Sequence, residues 1–429
     1  MRISTSQIFD AGTLGIQRNQ FDLFKLQNQL STGRRVLTPA DDPVAAAQTL
    51  VVTQSKEVNS QYLDNQKNAS SQLGLVDSQL STLTDLIQNV RDRAVQAGNT
   101  TLGNSDRQAI ASELEARLGE LVGIANSQNG AGDYLFSGYQ GATLPFAING
   151  SGVIVPPATT PPLAYAGDDG ERLLQVGASR QMGVSVAGSD LFMNAKSGNG
   201  TFVAQAQSGG INQGTATIDA GSVLDQKKWA LAVNNPLAGQ PLEIRFSVVA
   251  GVTTYGVYDP VSATTTGPLP YTPGQAISLV TAAPVDFGAQ VVVSGQPANG
   301  DTFTIRASGK QSLFQTLQNL VGALRTPVGT GSYTTTQFAG DLSAQLLNLD
   351  QALDNVSRVQ TNVGTRMREL DSLSSAAEDA NVQYQSTLSG LQDLDYAAAI
   401  SDFTKKQTQL EAAQKSFAQI SNLSLFSYL

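Results

Sequence analysis

The sequence predicts a mainly α-helical protein with an inserted all-β domain, whose N- and C-terminal segments form a long antiparallel coiled-coil or helical-bundle rod. Apolar residues recur at alternating steps of three and four near both ends of the 429-residue chain, as they do along the contact faces of coiled-coil helices. Between about residues 131 and 310 the composition shifts to Gly, Thr, Val and Pro, which is typical of strands and turns.

Two helices are predicted in the N-terminal part, over residues 44–97 and from Ser105 onward. The residues from Gly98 through Gly103 form the turn between them, so the two helices make an αα-hairpin. Ser105 and Gln108 have the spacing of a capping box. The seam of the first helix is Leu73, Val76, Leu80, Leu83, Ile87, Val90 and Ala94. The apolar stripe of the second is Ile110, Leu114, Leu118, Leu121 and Ala125.

A third long helix is predicted over residues 342–391, and we expect it to fill the groove of the hairpin. Polar Gln360, Ser374 and Asn381 on its seam are of the kind that fix register. An ordinary helical bundle remains the alternative to a long coiled coil. The seam consists of Leu342, Leu346, Leu349, Leu353, Val356, Gln360, Val363, Met367, Leu370, Ser374, Ala377, Asn381, Tyr384, Leu388 and Leu391.

The middle of the chain contains segments with partial period-two alternation, which predicts strands at 243–249, 252–258 and 302–306. Because a β-rich block separates two helical blocks that need each other, we interpret it as an insertion into the rod. The predicted domains are a terminal helical pair (1–40 with 395–429), a rod with a β excursion (41–185 with 310–394) and an inserted β domain (186–309).

The termini carry a candidate assembly interface. Narrow heptad seams suit two helices that pack on each other. The interface residues are Phe9, Ile16, Leu23, Leu26, Leu30, Phe403, Leu410, Phe417 and Ile420. The other apolar residues, which lie off these seams, are Phe21, Phe24, Leu425, Phe426, Tyr428 and Leu429. Either they dock onto the protein's own rod, or they contact neighbouring subunits.

Composition narrows the possible functions. The chain has no Cys and no His, which excludes disulfides, the usual zinc sites and Ser-His-Asp triads. A net charge of −9 argues against nucleic acid as a partner. No apolar run is long enough to span a membrane, and no signal peptide is visible at the N-terminus. We therefore expect a structural protein that is not an enzyme, without metal or cofactor and without nucleic-acid or membrane partners.

Two groups of residues suggest other functions: the acid pairs suggest an active site, and three tyrosines of the β domain suggest a binding surface. The acid pairs Asp41-Asp42 and Asp168-Asp169 could serve an active site, but we interpret them as a helix cap and a turn. A carbohydrate-binding or adhesive function of the β domain would draw on Tyr255, Tyr258 and Tyr271, which we interpret instead as strand packing.

Residues 30–46 resemble the N-terminal signature of the flagellin superfamily. Its turn has the sequence Leu-Ser-Thr-Gly-Arg-Arg-Val followed by Pro-Ala-Asp-Asp-Pro-Val-Ala-Ala. The signature positions of this turn are Gly33, Arg34, Pro39, Asp41, Asp42 and Pro43. Within the superfamily, the segments 132–139, 370–373, 388–396, 410–417 and 423–429 are similar to the flagellin-like hook-associated proteins rather than to filament flagellins, although a filament-forming flagellin remains an alternative.

The resemblance implies a role in the bacterial flagellum. Proteins of this kind form a ring at the hook–filament junction, with their terminal helices lining the axial core. The implied partners are neighbouring copies, a hook-side junction protein, flagellin and an export chaperone that binds the C-terminal segment. The implied location is outside the cell, on the flagellum, after export by the flagellar type III route.

Overall fold

The computed structural model describes residues 5–148, 163–207, 212–233, 241–282, 285–329 and 333–426. Its helices are α1 (Thr5–Thr32), α2 (Pro43–Ala97), α3 (Asn104–Ala125), α4 (Gln226–Val233), α5 (Leu313–Arg325), α6 (Thr335–Gln392) and α7 (Tyr396–Phe426), with a short π-helix at Ser189–Met193. Its strands are β1 (Phe146–Ile148), β2 (Leu163–Tyr165), β3 (Leu173–Gly177), β4 (Arg180–Gly183), β5 (Ala195–Lys196), β6 (Phe202–Ala206), β7 (Thr217–Ile218), β8 (Ser222–Val223), β9 (Leu242–Val249), β10 (Val252–Asp259), β11 (Thr264–Thr265), β12 (Leu269–Pro270), β13 (Ala276–Val280), β14 (Asp286–Ser294), β15 (Thr302–Ala307) and β16 (Lys310–Gln311).

The chain divides into two compact units. The terminal unit comprises Met1–Lys67, Val176–Ser179 and Asp371–Leu429, and the central unit comprises Asn68–Gln175 and Arg180–Leu370. The predicted fold class, helical ends around a β-rich middle, is confirmed. The predicted division into three domains stays a prediction.

The long helices of the central unit pack antiparallel through the predicted seams. All seven predicted seam residues of α2 from Leu73 to Ala94 are fully buried. Arg91 pairs with Asp350 at 2.7 Å, and the Gln360 amide donates to Asp77 at 3.2 Å. Higher residue numbers in α2 therefore lie beside lower residue numbers in α6, so the two helices run in opposite directions. α6 begins at Thr335, ahead of the predicted start at residue 342.

α3 and α5 form a second helical layer in the central unit. The predicted stripe of α3 is buried, and it packs against α5, a helix separate from the long helix predicted over residues 342–391. The predicted capping box of Ser105 and Gln108 is wrong, because α3 begins at Asn104. Asp106 is the residue that caps this end, accepting the Gly103 N–H at 3.0 Å.

The β-rich part is built around two sheets. The larger has the strand order β11-β10-β9-β15-β6, with β12 also paired to β10; in the smaller, β14 pairs with β13, β7 and β8. All three predicted strands are present, as β9, β10 and β15. Ala250 and Gly251 join β9 to β10 with positive φ angles of 50° and 81°, as the right-handed twist of a two-residue hairpin requires.

The core of this part is aromatic. Phe202, Trp229, Phe246 and Phe303 are buried together with aliphatic side chains from both sheets. The Tyr271 hydroxyl donates to the backbone at the end of β14, to Val293 O at 3.0 Å and Gly295 O at 2.9 Å. Its ring also packs edge-on against Phe246, which agrees with strand packing.

Leu73 and Leu75 provide a matched test of the α2 seam. Leu73 is fully buried and Leu75 is 43% exposed in the same helix. We expect Leu73→Ala to lower the free energy of unfolding by about 2–5 kcal/mol, since it leaves a cavity, and Leu75→Ala to change it by about 0.5 kcal/mol. Denaturant unfolding followed by helical circular dichroism measures both. Equal losses would contradict the assignment of the seam.

Candidate assembly site at the chain termini

The terminal helices α1 and α7 pack antiparallel on each other. The rings of Phe9 and Phe417 have centroids 4.9 Å apart, and Lys406 pairs with Asp22 at 2.7 Å. The structure brings the predicted positions together along this contact, but it buries them only partly. The half-buried residues are Ile16, Leu23, Leu26, Leu30, Phe403, Leu410 and Phe417. Phe9 remains 51% exposed despite its ring contact.

Gly12 makes room for the Phe417 ring. A β-carbon at Gly12 would lie 2.7 Å from Cδ2 of Phe417, whereas a β-carbon at Gly15 would have nothing within 4 Å. The close approach of the two helices at this level therefore depends on the absence of a side chain at position 12.

A second face of α1 is apolar and exposed. Phe21 and Phe24 are 68% and 62% exposed, and Leu14 is 55% exposed. Their spacing of seven and three residues places them on one side of the helix, away from α7. The pairing of α1 with α7 therefore leaves Phe21 and Phe24 exposed. The Ile420 side chain and the side chains of Leu425 and Phe426, together with Tyr428 and Leu429, lie outside what the structure describes.

Backbone hydrogen bonds join the α1–α2 connection to the α6–α7 connection, and we call this set of bonds between residues 33–35 and 392–394 the backbone clasp. The Arg35 N–H donates to Gln392 O at 2.7 Å, and the Leu394 N–H donates to Gly33 O at 3.0 Å. Arg34 and Asp393 form the antiparallel bridge between the two segments. Gly33 has φ +70°, the left-handed conformation that ends a helix at glycine. A β-carbon there would also meet the Tyr396 hydroxyl at 2.8 Å.

The two acids of the signature turn each hold a different part of it. The Asp41 carboxylate accepts the backbone N–H groups of Leu37 and Thr38 at 3.1 and 2.8 Å and pairs with Lys25 at 2.6 Å. The hydrogen bond from Lys25 is the main reason that the pKa of Asp41 falls from 3.8 to about 2. Asp41 therefore ties the turn back to α1.

Asp42 caps α2, as the sequence predicted. Its carboxylate accepts the Ala45 N–H at 2.9 Å, which is the main reason that its pKa is lowered, and it also pairs with Arg35 at 3.2 Å. Pro43 is the first helical residue. Pro39 lies in the turn between the two helices, and the backbone of Arg34 belongs to the clasp.

The sequence patterns did not identify three side chains that hold this turn in place: Lys25 and Gln29 of α1, and Arg35 of the turn itself. The Gln29 amide, almost fully buried, donates to Arg35 O at 2.6 Å. The Arg35 guanidinium donates to Leu391 O at 3.0 Å. Arg35 stands in the quoted motif, but the local pattern carries no signal that its partner lies more than 350 residues away.

The other acid pair also has a structural role. Asp168 accepts the backbone N–H groups of Tyr139 and Gly170 at 2.9 and 2.8 Å, and Asp169 accepts the Ser189 hydroxyl. Across the described residues, no group of three or more acidic, His or Cys side chains could hold a metal ion. Over the same ranges, none of the helices has the length and hydropathy to cross a membrane.

Comparison with known proteins gives the class. The bacterial flagellin N-terminal helical region matches residues 3–141, and the bacterial flagellin C-terminal helical region matches residues 346–429. Together these matches cover just over half of the chain, which belongs to the flagellin family. This confirms the resemblance found in the signature turn.

Within the family, the similarity is to hook-associated proteins over the whole length. The chain is 26% identical over 426 residues to flagellar hook-associated protein 3 of Escherichia coli, spanning 99% of each chain. The crystal structure of flagellar hook associated protein-3 from Legionella pneumophila has a TM-score of 0.69 and 28% identity, covering 80% of this chain and 98% of that one. The flagellar junction protein FlgL from Legionella pneumophila has a TM-score of 0.66 and 28% identity, covering 81% and 100%.

The lowered pKa of Asp41 predicts an acid-sensitive turn. A carboxyl group whose pKa falls from 3.8 in the unfolded chain to about 2 in the folded one stabilises the fold above pH 3.8, and this contribution is lost as pH falls towards 2. The difference in unfolding free energy between the wild type and Asp41→Asn should thus be constant above about pH 5 and decrease as the pH falls through about 2. Carboxyl-carbon NMR titration checks the pKa directly. Lys25→Gln should raise it towards 3.8, and no response to Lys25→Gln would contradict the assigned cause.

Gly12 and Gly15 test the close approach of α1 and α7. In an open helical position, Gly→Ala stabilises by roughly 0.5–1 kcal/mol, which we expect for Gly15→Ala. Gly12→Ala should lose this gain or destabilise, because the Phe417 ring must move. Thermal unfolding followed by circular dichroism compares the two variants. An equal gain at both positions would show that the ring does not pack against Gly12.

Proposed function

We propose that this chain is a structural subunit of the bacterial flagellum that acts at the hook–filament junction. The whole-length similarity to hook-associated protein 3 and to the flagellar junction protein supports this proposal, because it extends beyond the helical ends that flagellins share. The observation in the structure that supports it most is the exposed apolar face of α1. Contiguous exposed apolar side chains of this kind are typical of surfaces that bind another protein.

In this proposal the terminal unit makes the contacts between subunits. The seam residues hold α1 against α7, and the pair presents Phe21 and Phe24 outward. The clasp, with its bridge between Arg34 and Asp393, fixes the position at which both chain reversals occur. The predicted domains take their roles accordingly: residues 1–40 with 395–429 line the axial core, the rod carries the subunit outward, and residues 186–309 face solvent.

The proposed partners follow from the same role. They are neighbouring copies of this chain, a hook-side junction protein, flagellin, and a chaperone that holds the C-terminal segment before export. Export by the flagellar type III route and a final location on the flagellum outside the cell belong to the same proposal. Each of these partners would find a helical end of the chain as its contact surface.

The terminal seam offers a test of this division of labour. We expect the double variant Leu410→Gln and Phe417→Gln to abolish attachment to hook fragments, since it removes the apolar contacts that hold α7 on α1. The unfolding transition of the central unit, followed through the fluorescence of Trp229, should stay unchanged. The matched control places Gln at the exposed positions Ala412 and Ser416 of α7 and should attach normally.

Electron microscopy of hook fragments incubated with the purified chain measures attachment. The wild-type chain should attach to the end of the hook fragments and should not polymerise into long filaments. Long filaments formed without added flagellin would contradict the junction proposal and indicate that the chain is a filament flagellin. A large loss of central-unit stability in the double variant would refute the separation between assembly and folding.

A further inference from the structure

Arg107 is a buried cation on the apolar face of α3. It stands three residues before Ile110, at the start of the stripe that α3 turns towards the core, and it is only 7% exposed. Its backbone N–H donates to Gly103 O at 3.2 Å, within the first turn of the helix. Its Nε atom is buried and has no hydrogen-bond partner. A buried charge without a partner destabilises the fold, and a bound anion would remove this cost.

Arg107 lines a pocket of about 190 Å³ between the α2–α3 turn and the N-terminal end of α6. We call it the Arg107 pocket. Phe338 and Leu342 line it as buried residues. The exposed residues of its lining include Thr100, Thr335, Ala339 and Ser343. The pocket thus combines a buried cation and buried apolar side chains with an exposed rim that carries hydroxyl groups.

The acidic side chains nearest to this pocket in the sequence are held by other groups. The carboxylate of Asp106, next to Arg107, accepts the Gly103 N–H at 3.0 Å. The carboxylate of Asp341, near the start of α6, accepts the Tyr333 hydroxyl at 2.8 Å. Among the described residues, Arg107 forms no ion pair. An anion from outside the chain would therefore be its first charged partner.

The guanidinium is placed so that it can bind a carboxylate. Its central carbon lies 4.7 Å from the centroid of the Phe338 ring. This cation–π contact leaves N–H donors of the guanidinium for an anion, because a guanidinium has five of them in one plane. Such a planar edge matches the two oxygens of a carboxylate, which it binds through two parallel hydrogen bonds.

The other walls of the pocket select the kind of anion. α6 begins at Thr335, which lines the rim, and the N-terminal end of a helix carries a partial positive charge. Phe338, Leu342 and Leu346 form apolar walls. A small inorganic anion would lose hydration there without gaining apolar contacts, whereas an aliphatic chain would gain them. The walls therefore favour an anion that carries an aliphatic stem.

We propose that the Arg107 pocket binds a carboxylate group on a short aliphatic stem. The carboxylate pairs with the Arg107 guanidinium, and the stem contacts Phe338 and Leu342. Two sources carry this chemistry: a free short-chain acid in solution, and an acidic side chain presented by a neighbouring subunit. The proposal does not rest on the junction role, because all the lining residues belong to the central unit of a single chain.

Sodium butyrate added to the purified full-length chain is the probe. We expect butyrate to raise the Tm relative to sodium chloride at equal ionic strength, because a ligand that binds only the folded state stabilises it. Sodium phosphate lacks the stem and butanol lacks the charge, so both should have smaller effects. In nitrogen-15 NMR spectra butyrate should also shift the Arg107 Nε–H signal, which is assigned by its absence from the spectrum of Arg107→Lys.

Arg107→Met and Arg117→Met form a matched pair of variants in α3. Arg117 is a partly exposed residue of the same helix that pairs with Glu120 at 2.8 Å. Arg107→Met should abolish the response to butyrate, and Arg117→Met should keep it. Ala339→Leu, at an exposed position of the rim, should narrow the pocket and weaken butyrate binding severalfold while Arg107 stays in place. A full response in Arg107→Met, or a wild type that responds to butyrate no more than to chloride, would overturn the proposal.

Attachment to hook fragments distinguishes the two sources of the carboxylate. If a neighbouring subunit supplies it, Arg107→Met should reduce attachment severalfold, excess butyrate should reduce attachment of the wild type, and Arg117→Met should attach normally. If a free acid is the ligand, all three should attach normally, and butyrate should still raise the Tm of the wild type. Failure of the wild type to attach would refute the proposed function and would leave the butyrate measurements valid.

Discussion

The backbone clasp between the two connections of the terminal unit is the constraint on which the helical arrangement depends. It joins Gly33 to Leu394 and Arg35 to Gln392, so both chain reversals occur at one level. On one side of the clasp α1 meets α7, and on the other α2 meets α6. A slip of one residue would rotate a helix by about 100° and carry its seam away from the partner. Because backbone groups make the clasp, it fixes the register at this level, and the apolar seams continue that register along the helices.

The two units differ in how completely they bury their seams. In the central unit the α2 seam from Leu73 to Ala94 is fully buried, while Leu23, Leu410 and Phe417 in the terminal unit are only half-buried. The ion pairs beside the seams, such as Arg91–Asp350 and Lys406–Asp22, are partly exposed and contribute little. Burial of apolar area therefore decides stability in both units. The central unit buries its apolar seam within itself. The terminal unit leaves apolar side chains exposed, and these are available to contact a partner.

Periodicity in the sequence predicted what depends on neighbouring residues along one element. The α2 seam, the α3 stripe, strands β9, β10 and β15, and the cap at Asp42 all follow from local spacing, and the structure has them. Helix α5 was not distinguished from the long helix that follows it, although Leu313, Leu317, Leu320 and Leu324 follow steps of four, three and four. The start of α3 was predicted one residue too late, because the N-cap is Gly103, whose backbone N–H the Asp106 carboxylate accepts. Lys25, Gln29 and Arg35 could not be found, since their partners lie across a turn or at the far end of the chain.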